Sequence, residues 1–274
     1  MKISGIILSL VAAFIAASCS EGRKTVSQPD ETGLEEELQE PVSNVVNLPR
    51  GAEALFDDFF FYFATNEPFQ RSRIQFPLAV DGVGEQDSLI TDSLWKQDRF
   101  FFDSGEYTLI LRSLEQLSIV NDTSVKSAVV EKLFLKADSV SRYSFTKSDG
   151  RWTLDGLQIS RVSRHPEAAF LRFYKRFCTD SVFRQRSMAP EIVFTGPDPD
   201  DDFAQMEGFI TPDSWEAFAP VLPQDTLFNI IYGDMPADET RQRIFVIRGI
   251  DDEEDIELTF SNERGRWLLT SLTE

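Results

Sequence analysis

The octapeptide GRWTLDGL at residues 150–157 decides the fold, because a related octapeptide, GRWLLTSL, closes the chain at residues 265–272. Two earlier pairs of segments match in the same order: the phenylalanine-rich residues 56–69 with 170–183, and ITDSLW at 90–95 with ITPDSW at 210–215. The spacing between matched segments differs slightly in the two copies, as insertions and deletions in loops would produce. The sequence therefore predicts two copies of one structural unit.

The chain begins with the features of an export signal. Lys2 precedes an apolar run, residues 6–17, that suits a signal peptide and is too short to span a bilayer. Small residues then stand directly before Cys19, a pattern that resembles the lipobox of bacterial lipoproteins, although Ala16 occupies the position where leucine is expected. The resemblance implies cleavage after residue 18 and acylation of Cys19. The alternative is an ordinary secretory signal followed by an incidental cysteine.

Residues 19–50 are predicted to form an acidic, flexible tether. They are rich in glutamate and proline and show no apolar period, which is typical of an extended, solvated linker. An acylated Cys19 would anchor the protein in a membrane of the cell envelope. Glu21 is followed by Arg23 and Lys24, which argues only weakly for surface display. We therefore expect an outer-membrane anchor facing the periplasm, with surface exposure as the alternative.

The charge and the cysteine count exclude several classes of protein. Removal of residues 1–18 takes away Lys2 and no acidic residue, so the formal net charge changes from −19 to −20. A protein this acidic repels nucleic acid, and we predict no nucleic-acid partner. Cys19 and Cys178 are the only cysteines, so neither a disulfide framework nor a zinc site is expected. Cys178 follows Phe177 on a predicted apolar helix and is interpreted as a small buried hydrophobe.

We predict two domains, residues 51–162 and residues 163–274, that pack against each other across a short connection. Each begins with a helix that carries an aromatic stripe. The stripe favours a hydrophobic core, and the alternative is the lining of a ligand cavity. Its members are Phe56, Phe59, Phe60 and Phe63 in the first copy, and Phe170, Phe173, Tyr174 and Phe177 in the second.

Each copy then continues with segments that are typical of strands. The copies end in hairpins, with turns at residues 148–150 and 262–265 before the repeated tryptophans. Short helix starts are predicted at residues 91–95 and 211–215. Alternation of apolar residues predicts a strand at residues 74–80. Strand-like sequence predicts further strands at residues 107–111, 127–136 and 140–146 in the first copy, and at 227–232, 241–250 and 256–260 in the second.

A helix with an aromatic stripe, a short second helix and an antiparallel sheet ending in a Gly-x-Trp-x-Leu hairpin resembles the nuclear transport factor 2-like (NTF2-like) fold. This fold is a cystatin-like α+β cone. The resemblance implies an α+β protein with two tandem NTF2-like domains, each an N-terminal helix packed on a curved antiparallel sheet. The duplication behind a lipobox resembles a family of uncharacterised Gram-negative lipoproteins built from two such domains. These motifs are structural, so they identify a fold better than an activity.

The same resemblance implies where an active site would lie. Enzymes on this fold use polar side chains inside the cone, commonly an aspartate or histidine acting with a tyrosine or second aspartate. Asp57 and Asp58 lie on the first helix, and burial of either beside Tyr62 or Tyr107 would favour catalysis. The only histidine, His165, precedes a proline in the connection between the copies, and we expect it at the surface.

The second copy does not repeat these acids. Leu171 and Arg172 stand where the first copy has its two aspartates, and Lys175 or Arg176 stands in place of the tyrosine. Duplicated cones need not both be active, so the difference weakens the enzymatic alternative without excluding it. No catalytic residue is therefore assigned from the sequence.

One acidic run resembles the start of a calcium-binding loop. Asp198, Asp200 and Asp202 have the alternate spacing of an EF-hand. However, the sixth position is Phe203 instead of glycine, and the twelfth is Phe209 instead of glutamate. We therefore predict no metal site and no cofactor.

The sequence as a whole predicts a non-catalytic cell-envelope lipoprotein that binds a ligand or a protein. Its predicted contacts are the membrane, through Cys19, and a small apolar ligand or an envelope protein. The alternative is an NTF2-like hydrolase or isomerase that acts on a small apolar substrate, which would require a titrating pair of side chains in one cone.

Overall fold

A computed structural model describes most of the chain from residue 51 onward. The predicted lipidation site Cys19, the tether and Asp200 of the acidic run all lie outside the described residues. The described segments are residues 51–82, 88–198, 201–233, 241–250 and 255–274.

Two short helices begin each half of the described chain, where the first half is residues 51–162 and the second half is residues 163–274. The helices α1 (Phe56–Thr65) and α2 (Glu67–Ser72) begin the first half, and α3 (Ala168–Thr179) and α4 (Ser181–Arg186) begin the second. Each second helix is capped by a side chain at the junction with the first. The Asn66 side chain accepts from the Phe69 amide and the Asp180 side chain from the Phe183 amide, both at 2.9 Å.

The strands of the described residues form one sheet. Most of them lie where the sequence predicted strands. In chain order they are β1 (Leu78–Asp81), β2 (Ser88–Ile90), β3 (Glu106–Leu111), β4 (Ser127–Phe134), β5 (Ser139–Ser148), β6 (Arg151–Ser160), β7 (Met188–Asp198), β8 (Asp201–Ile210), β9 (Thr226–Tyr232), β10 (Gln242–Gly249), β11 (Asp255–Glu263) and β12 (Arg266–Thr273).

The order of these strands preserves the repeat. Across the sheet they run β2-β1-β6-β5-β4-β9-β3-β10-β11-β12-β7-β8. Each strand from β1 to β6 has a counterpart six places later in the chain, so that β1 corresponds to β7 and β6 to β12. When every strand is replaced by its counterpart, the same order is obtained, read from the opposite edge of the sheet. The pairing directions agree as well, since β1 is parallel to β6 as β7 is to β12. The duplication inferred from the sequence therefore extends to the topology of the sheet.

The centre of the sheet interleaves the two halves. β3 from the first half lies between β9 and β10 of the second, and β9 lies between β4 and β3 of the first. β3 and β9 run parallel, with Thr108 opposite Asn229, whereas each pairs antiparallel with its other neighbour. Residues 51–162 therefore do not form a separate sheet from residues 163–274. All described residues fall in one compact unit.

Two hydrophobic cores lie on opposite faces of this sheet. Along β10, Ile244 and Val246 belong to the first core, whereas Phe245 and Ile247 belong to the second. Successive side chains of a strand point to opposite faces, so the central strands are buried on both sides. The aromatic stripe of α1 packs in the first core and that of α3 in the second, which confirms the core interpretation of both stripes.

The repeated tryptophans hold equivalent positions under the two helices. The ring centroid of Trp152 lies 5.0 Å from that of Phe56, and Trp267 lies 5.3 Å from Phe170. Trp152 is fully buried, whereas Trp267 is only partly buried. Phe56 and Phe170 therefore occupy equivalent places in the two halves.

Both predicted terminal hairpins are present. The turn between β5 and β6 has positive φ at Asp149 and Gly150, and the turn between β11 and β12 has positive φ at Arg264 and Gly265. Positive φ at both central residues is typical of the two-residue turns whose twist matches that of the strands. The glycine in each GRW motif therefore has a backbone role.

Other local predictions were wrong in detail. Residues 91–95 and 211–215 were predicted to start helices, but the first contain only a single 3-10 turn, Asp92–Leu94, and the second lead only into another, Trp215–Ala217. The strand predicted from residue 74 begins at Leu78, because proline at position 77 cannot donate to a strand ladder. Among the described residues, no helix is long and apolar enough to cross a membrane.

Candidate functional site

Asp57 lies near the beginning of α1 and is held between two tyrosines. Its Oδ1 accepts a hydrogen bond from the Tyr232 hydroxyl at 2.5 Å, and its Oδ2 accepts one from the Tyr107 hydroxyl at 3.2 Å. Tyr107 lies on β3 and Tyr232 on β9, the two parallel strands at the centre of the sheet. The interleaving of the halves therefore brings one tyrosine from each half to the same carboxylate.

The apolar period of α1 places Asp57 at the edge of the buried face. Phe56 and Phe60 are buried, while Asp58 points to solvent and is exposed. Asp57 is partly buried between these two environments. Tyr62, on the same helix, packs against the first core and makes no hydrogen bond with Asp57 in the described structure. Of the polar residues proposed from the sequence, the structure thus brings together Asp57 and Tyr107.

A cationic side chain, that of Arg248, contacts Tyr107. Arg248 lies opposite Tyr107 in the pairing of β10 with β3, and opposite Asp255 in the pairing of β10 with β11. Its guanidinium forms a two-point ion pair with Asp255, with Nε 2.7 Å from Oδ1 and Nη2 bound to Oδ2. Arg248 Nη1 also lies 3.5 Å from the Tyr107 hydroxyl oxygen. Sequence analysis missed both Arg248 and Tyr232.

These groups border an aromatic cavity of about 220 Å³. Asp57 and Arg248 are its charged members, and the remaining walls are mainly apolar. Small-molecule sites are typically concave and apolar with a few placed polar groups, and this cavity has that character at a small size. The lining residues are Asp57, Phe60, Phe61, Phe101, Phe102, Tyr107, Arg248, Gly249 and Ile250.

The turn that supplies part of the cavity wall begins with an unusual backbone conformation. The 3-10 turn Phe100–Asp103 supplies two of the lining phenylalanines. Phe100, at its start, has φ 52°, a region that bulky residues rarely adopt. Its buried ring packs below the Lys132 ammonium at 4.8 Å, which helps to hold the turn. Such outliers are enriched at binding and catalytic sites.

Burial sets the ionisation of this cluster. Burial raises the pKa of Asp57, and the hydrogen bonds from Tyr232 and Tyr107 and the charge of Arg248 only partly offset this rise. Burial and the nearby Asp57 charge also raise the pKa of both tyrosines. Both phenols therefore remain protonated at neutral pH and act as hydrogen-bond donors.

The second half has a different chemistry at the equivalent place. Because Phe56 and Phe170 are equivalent, Leu171 is the counterpart of Asp57, and it is fully buried. The nearby Lys175 donates to the Leu135 carbonyl at 2.8 Å. The second half therefore has no carboxylate at the position equivalent to Asp57.

His165 was predicted at the surface, and this prediction was wrong. Its side chain is buried and its Nε2 lies 2.9 Å from Oε1 of the fully buried Glu131. The Glu167 amide donates to Nδ1 at 3.0 Å, so the proton of the neutral ring is on Nε2 and is donated to Glu131. Both ring nitrogens are thus engaged, which leaves neither available as a general base.

Glu131 joins several strands at the centre of the sheet. Its Oε2 accepts a hydrogen bond from Asn229 Nδ2 at 2.8 Å. Arg142 Nε lies 2.9 Å from Oε1 and forms an ion pair whose geometry is not that of a hydrogen bond. Burial alone would raise the pKa of Glu131, but the hydrogen bonds from His165 and Asn229 and the charge of Arg142 outweigh burial and lower it. Glu131 is therefore a structural carboxylate that stays ionised.

A larger cavity of about 660 Å³ lies beside this cluster. Charged side chains are prominent in its wall: Asp81, Asp138, Arg142, Arg161 and Arg164. The opposite charges largely balance, and Arg142 is already paired with Glu131. Its size alone therefore does not make it the better candidate, because binding sites combine apolar walls with a few polar groups.

The remaining residues considered from the sequence do not form a reactive site. Cys178 is buried, as predicted, and burial raises the pKa of its thiol to about 11, so it is not a nucleophile at neutral pH. In the described segments, no group of three or more histidine, cysteine or acidic residues could hold a metal ion.

Comparison with known proteins identifies the class of fold. A crystal structure of an NTF2-like protein from Bacteroides fragilis NCTC 9343 aligns with a TM-score of 0.74 and 34% sequence identity, covering 82% of this chain and 98% of that one. The fold is therefore NTF2-like, as the motifs predicted. Residues 34–274 match the family described as a domain of unknown function, DUF4348, and the chain belongs to that family. No curated protein matches the sequence.

The Glu131 cluster leads to a test of stability. Glu131→Gln should lower the free energy of unfolding by about 1.5 to 3 kcal/mol at pH 7, because the buried hydrogen bonds lose their charged acceptor. Since the folded-state pKa is lowered, the contribution of Glu131 is fully present above its ordinary value of 4.5 and is lost as the pH falls through the folded value. Urea unfolding at a series of pH values measures this difference.

Glu216→Gln is the matched control, because the Glu216 carboxylate is exposed and should contribute little. A variant at Glu131 as stable as wild type at pH 7, or a difference that grows on acidification, would contradict the role given to this carboxylate.

Proposed function

We propose that this protein binds a small, mainly apolar molecule in the cavity beside Asp57. One observation carries the proposal: a single carboxylate lies at the edge of walls that are otherwise largely aromatic. The volume of about 220 Å³ lies below the range of about 300 to 1,000 Å³ for sites of drug-sized ligands. The expected ligand is therefore small.

The bonding of the polar groups favours binding over proton transfer. Tyr107 and Tyr232 both direct their hydroxyls to Asp57, and Arg248 is paired with Asp255. Asp57 thus supplies hydrogen-bond acceptors to the cavity, while its neighbours are committed to holding it. This arrangement suits recognition of a ligand at one fixed point.

An enzymatic function is the second candidate. The condition stated for it from the sequence was burial of Asp57 or Asp58 beside Tyr62 or Tyr107. Asp57 lies beside Tyr107 in one cone, and burial raises the pKa of the carboxyl toward the range of a general base. Turnover of a defined substrate that Asp57→Asn abolishes, with stability unchanged, would support this candidate.

We also propose that residues 51–162 and 163–274 are a duplicated pair of NTF2-like domains. The repeated hairpins, the equivalent helices and the two-fold symmetry of the strand order support this division. The exchange of β3 and β9 would then be the means by which the two domains are joined.

The proposed location is the cell envelope, with the protein anchored through acylated Cys19 at the outer membrane and facing the periplasm. The lipobox-like segment and the acidic linker of residues 19–50 support this location. Neither lies among the described residues, so the support comes from the sequence alone.

Labelling with a palmitate analogue tests the anchor. The wild-type protein expressed in a Gram-negative host should take up the label and fractionate with membranes, because the cysteine is modified after signal cleavage. Cys19→Ala should lose the label, whereas Cys178→Ala should keep it, since Cys178 is buried. Equal labelling of the wild type and Cys19→Ala would rule out this anchor.

Ligand-observed NMR with a panel of single-ring aromatic fragments tests binding at the cavity. We expect fragments that bind the wild type to lose most of their binding to Phe61→Ala, because Phe61 forms part of the wall and is accessible. Phe209→Ala is the matched control, since Phe209 is an exposed phenylalanine on β8 outside the cavity. Equal losses in the two variants, or no fragment that binds, would contradict the proposed function.

A further inference from the structure

The carboxylate of Asp57 has neutral partners. Its hydrogen bonds come from two phenols, and it forms no ion pair with any lysine, arginine or histidine in the part of the chain that the structure describes. The guanidinium of Arg248 is bound to Asp255, and its Nη1 contacts the Tyr107 hydroxyl at 3.5 Å and not the Asp57 carboxylate. The negative charge at the cavity is therefore left without a cation in direct contact.

The walls of the cavity suit a positive charge. Phe101 and Phe102 stack with ring centroids 4.9 Å apart, and the Phe61 ring meets Phe102 edge-on at 5.6 Å. The faces of aromatic rings carry partial negative charge and attract cations, with Tyr107 contributing a further ring to the same wall. Carboxylate and rings therefore favour the same sign of ligand charge.

The electrostatics of the surroundings agree. At the cavity, Arg248 is neutralised by Asp255, which leaves the charge of Asp57, and exposed Asp58 adds a second negative charge nearby. The whole chain has a formal net charge of −19, so it attracts cations and repels anions. A cationic ligand would form an ion pair with the Asp57 carboxylate and so stabilise its charged form, which burial disfavours.

We propose, resting on the function proposed above, that the ligand of the Asp57 cavity is a small organic ammonium ion. The ammonium group donates to the Asp57 carboxylate, and its apolar part lies against Phe61, Phe101 and Phe102. Tyr107 and Tyr232 orient the acceptor oxygens. The strand exchange thus creates an amine-binding site whose carboxylate comes from the first half and one of whose orienting hydroxyls comes from the second.

Three probes of nearly equal shape test the charge of the ligand: benzylamine, benzyl alcohol and benzoate. Binding is measured by NMR titration of the mature protein, with the signals of Phe61 and Ile250 reporting the cavity. The wild type should bind benzylamine at least about tenfold more tightly than benzyl alcohol, and benzoate least, because hydrogen bonds to charged groups are the stronger ones.

Two neighbouring variants separate the site from the general field of the protein. Asp57→Asn should reduce the preference for benzylamine to about twofold or less while benzyl alcohol still binds. Asp58→Asn removes the same charge one residue away, at an exposed position, and should keep most of the preference. Circular dichroism checks folding, and the wild-type comparison of the three probes remains decisive if Asp57→Asn does not fold.

Each outcome decides between the proposals. Equal binding of benzylamine and benzyl alcohol at the cavity would overturn the ammonium ligand and leave the binding function standing. Equal loss of the preference in both aspartate variants would also overturn it, since the effect would then come from overall charge. Absence of shifts at Phe61 and Ile250 with every probe would overturn the ammonium proposal together with the binding function.

Discussion

The parallel contact between β3 and β9 is the constraint on which the rest of the structure depends. Polar side chains reinforce it: the Thr108 hydroxyl donates to the Phe228 carbonyl, and the Ile110 amide donates to Asn229 Oδ1. Asn229 in turn donates to Glu131 on β4. A buried carboxylate stabilises a fold only when its hydrogen bonds are satisfied, and here those bonds link the two halves. This contact makes one sheet with a hydrophobic core on each face.

The same exchange of strands explains why the candidate site is asymmetric although the topology is not. Asp57 meets a tyrosine from each half, whereas its counterpart Leu171 is apolar. The fully buried carboxylate of Glu131 and the partly buried carboxylate of Asp57 then differ in physical role. Glu131 is surrounded by donors and charges that lower its pKa, while Asp57 has only two phenols in contact and a pKa that burial raises. The first holds the halves together, and the second remains available to a ligand.

Much of the fold could be predicted from the sequence, because the relevant signals are local. The aromatic stripes, the Gly-x-Trp hairpins and the duplication all depend on short spacings. The interleaving of β3 and β9 could not be predicted, since the residue pattern of a strand does not indicate which strand lies next to it in the sheet. The site depends on that interleaving: Tyr232 lies 175 residues from Asp57 in the chain. His165 was misplaced for the same reason, because its partner Glu131 lies on a strand whose position the sequence does not specify.

The central claim is that the interleaving of β3 and β9 brings Tyr232 of the second half to the partly buried carboxylate of Asp57 in the first. Carbon-13 NMR titration of the Asp57 carboxyl group, in the wild type and in Tyr232→Phe, tests it most directly. The account predicts a wild-type pKa above the ordinary value of 3.8 and a further rise in Tyr232→Phe, because the lost hydroxyl stabilised the ionised form. A pKa at or below 3.8 that does not respond to Tyr232→Phe would contradict it.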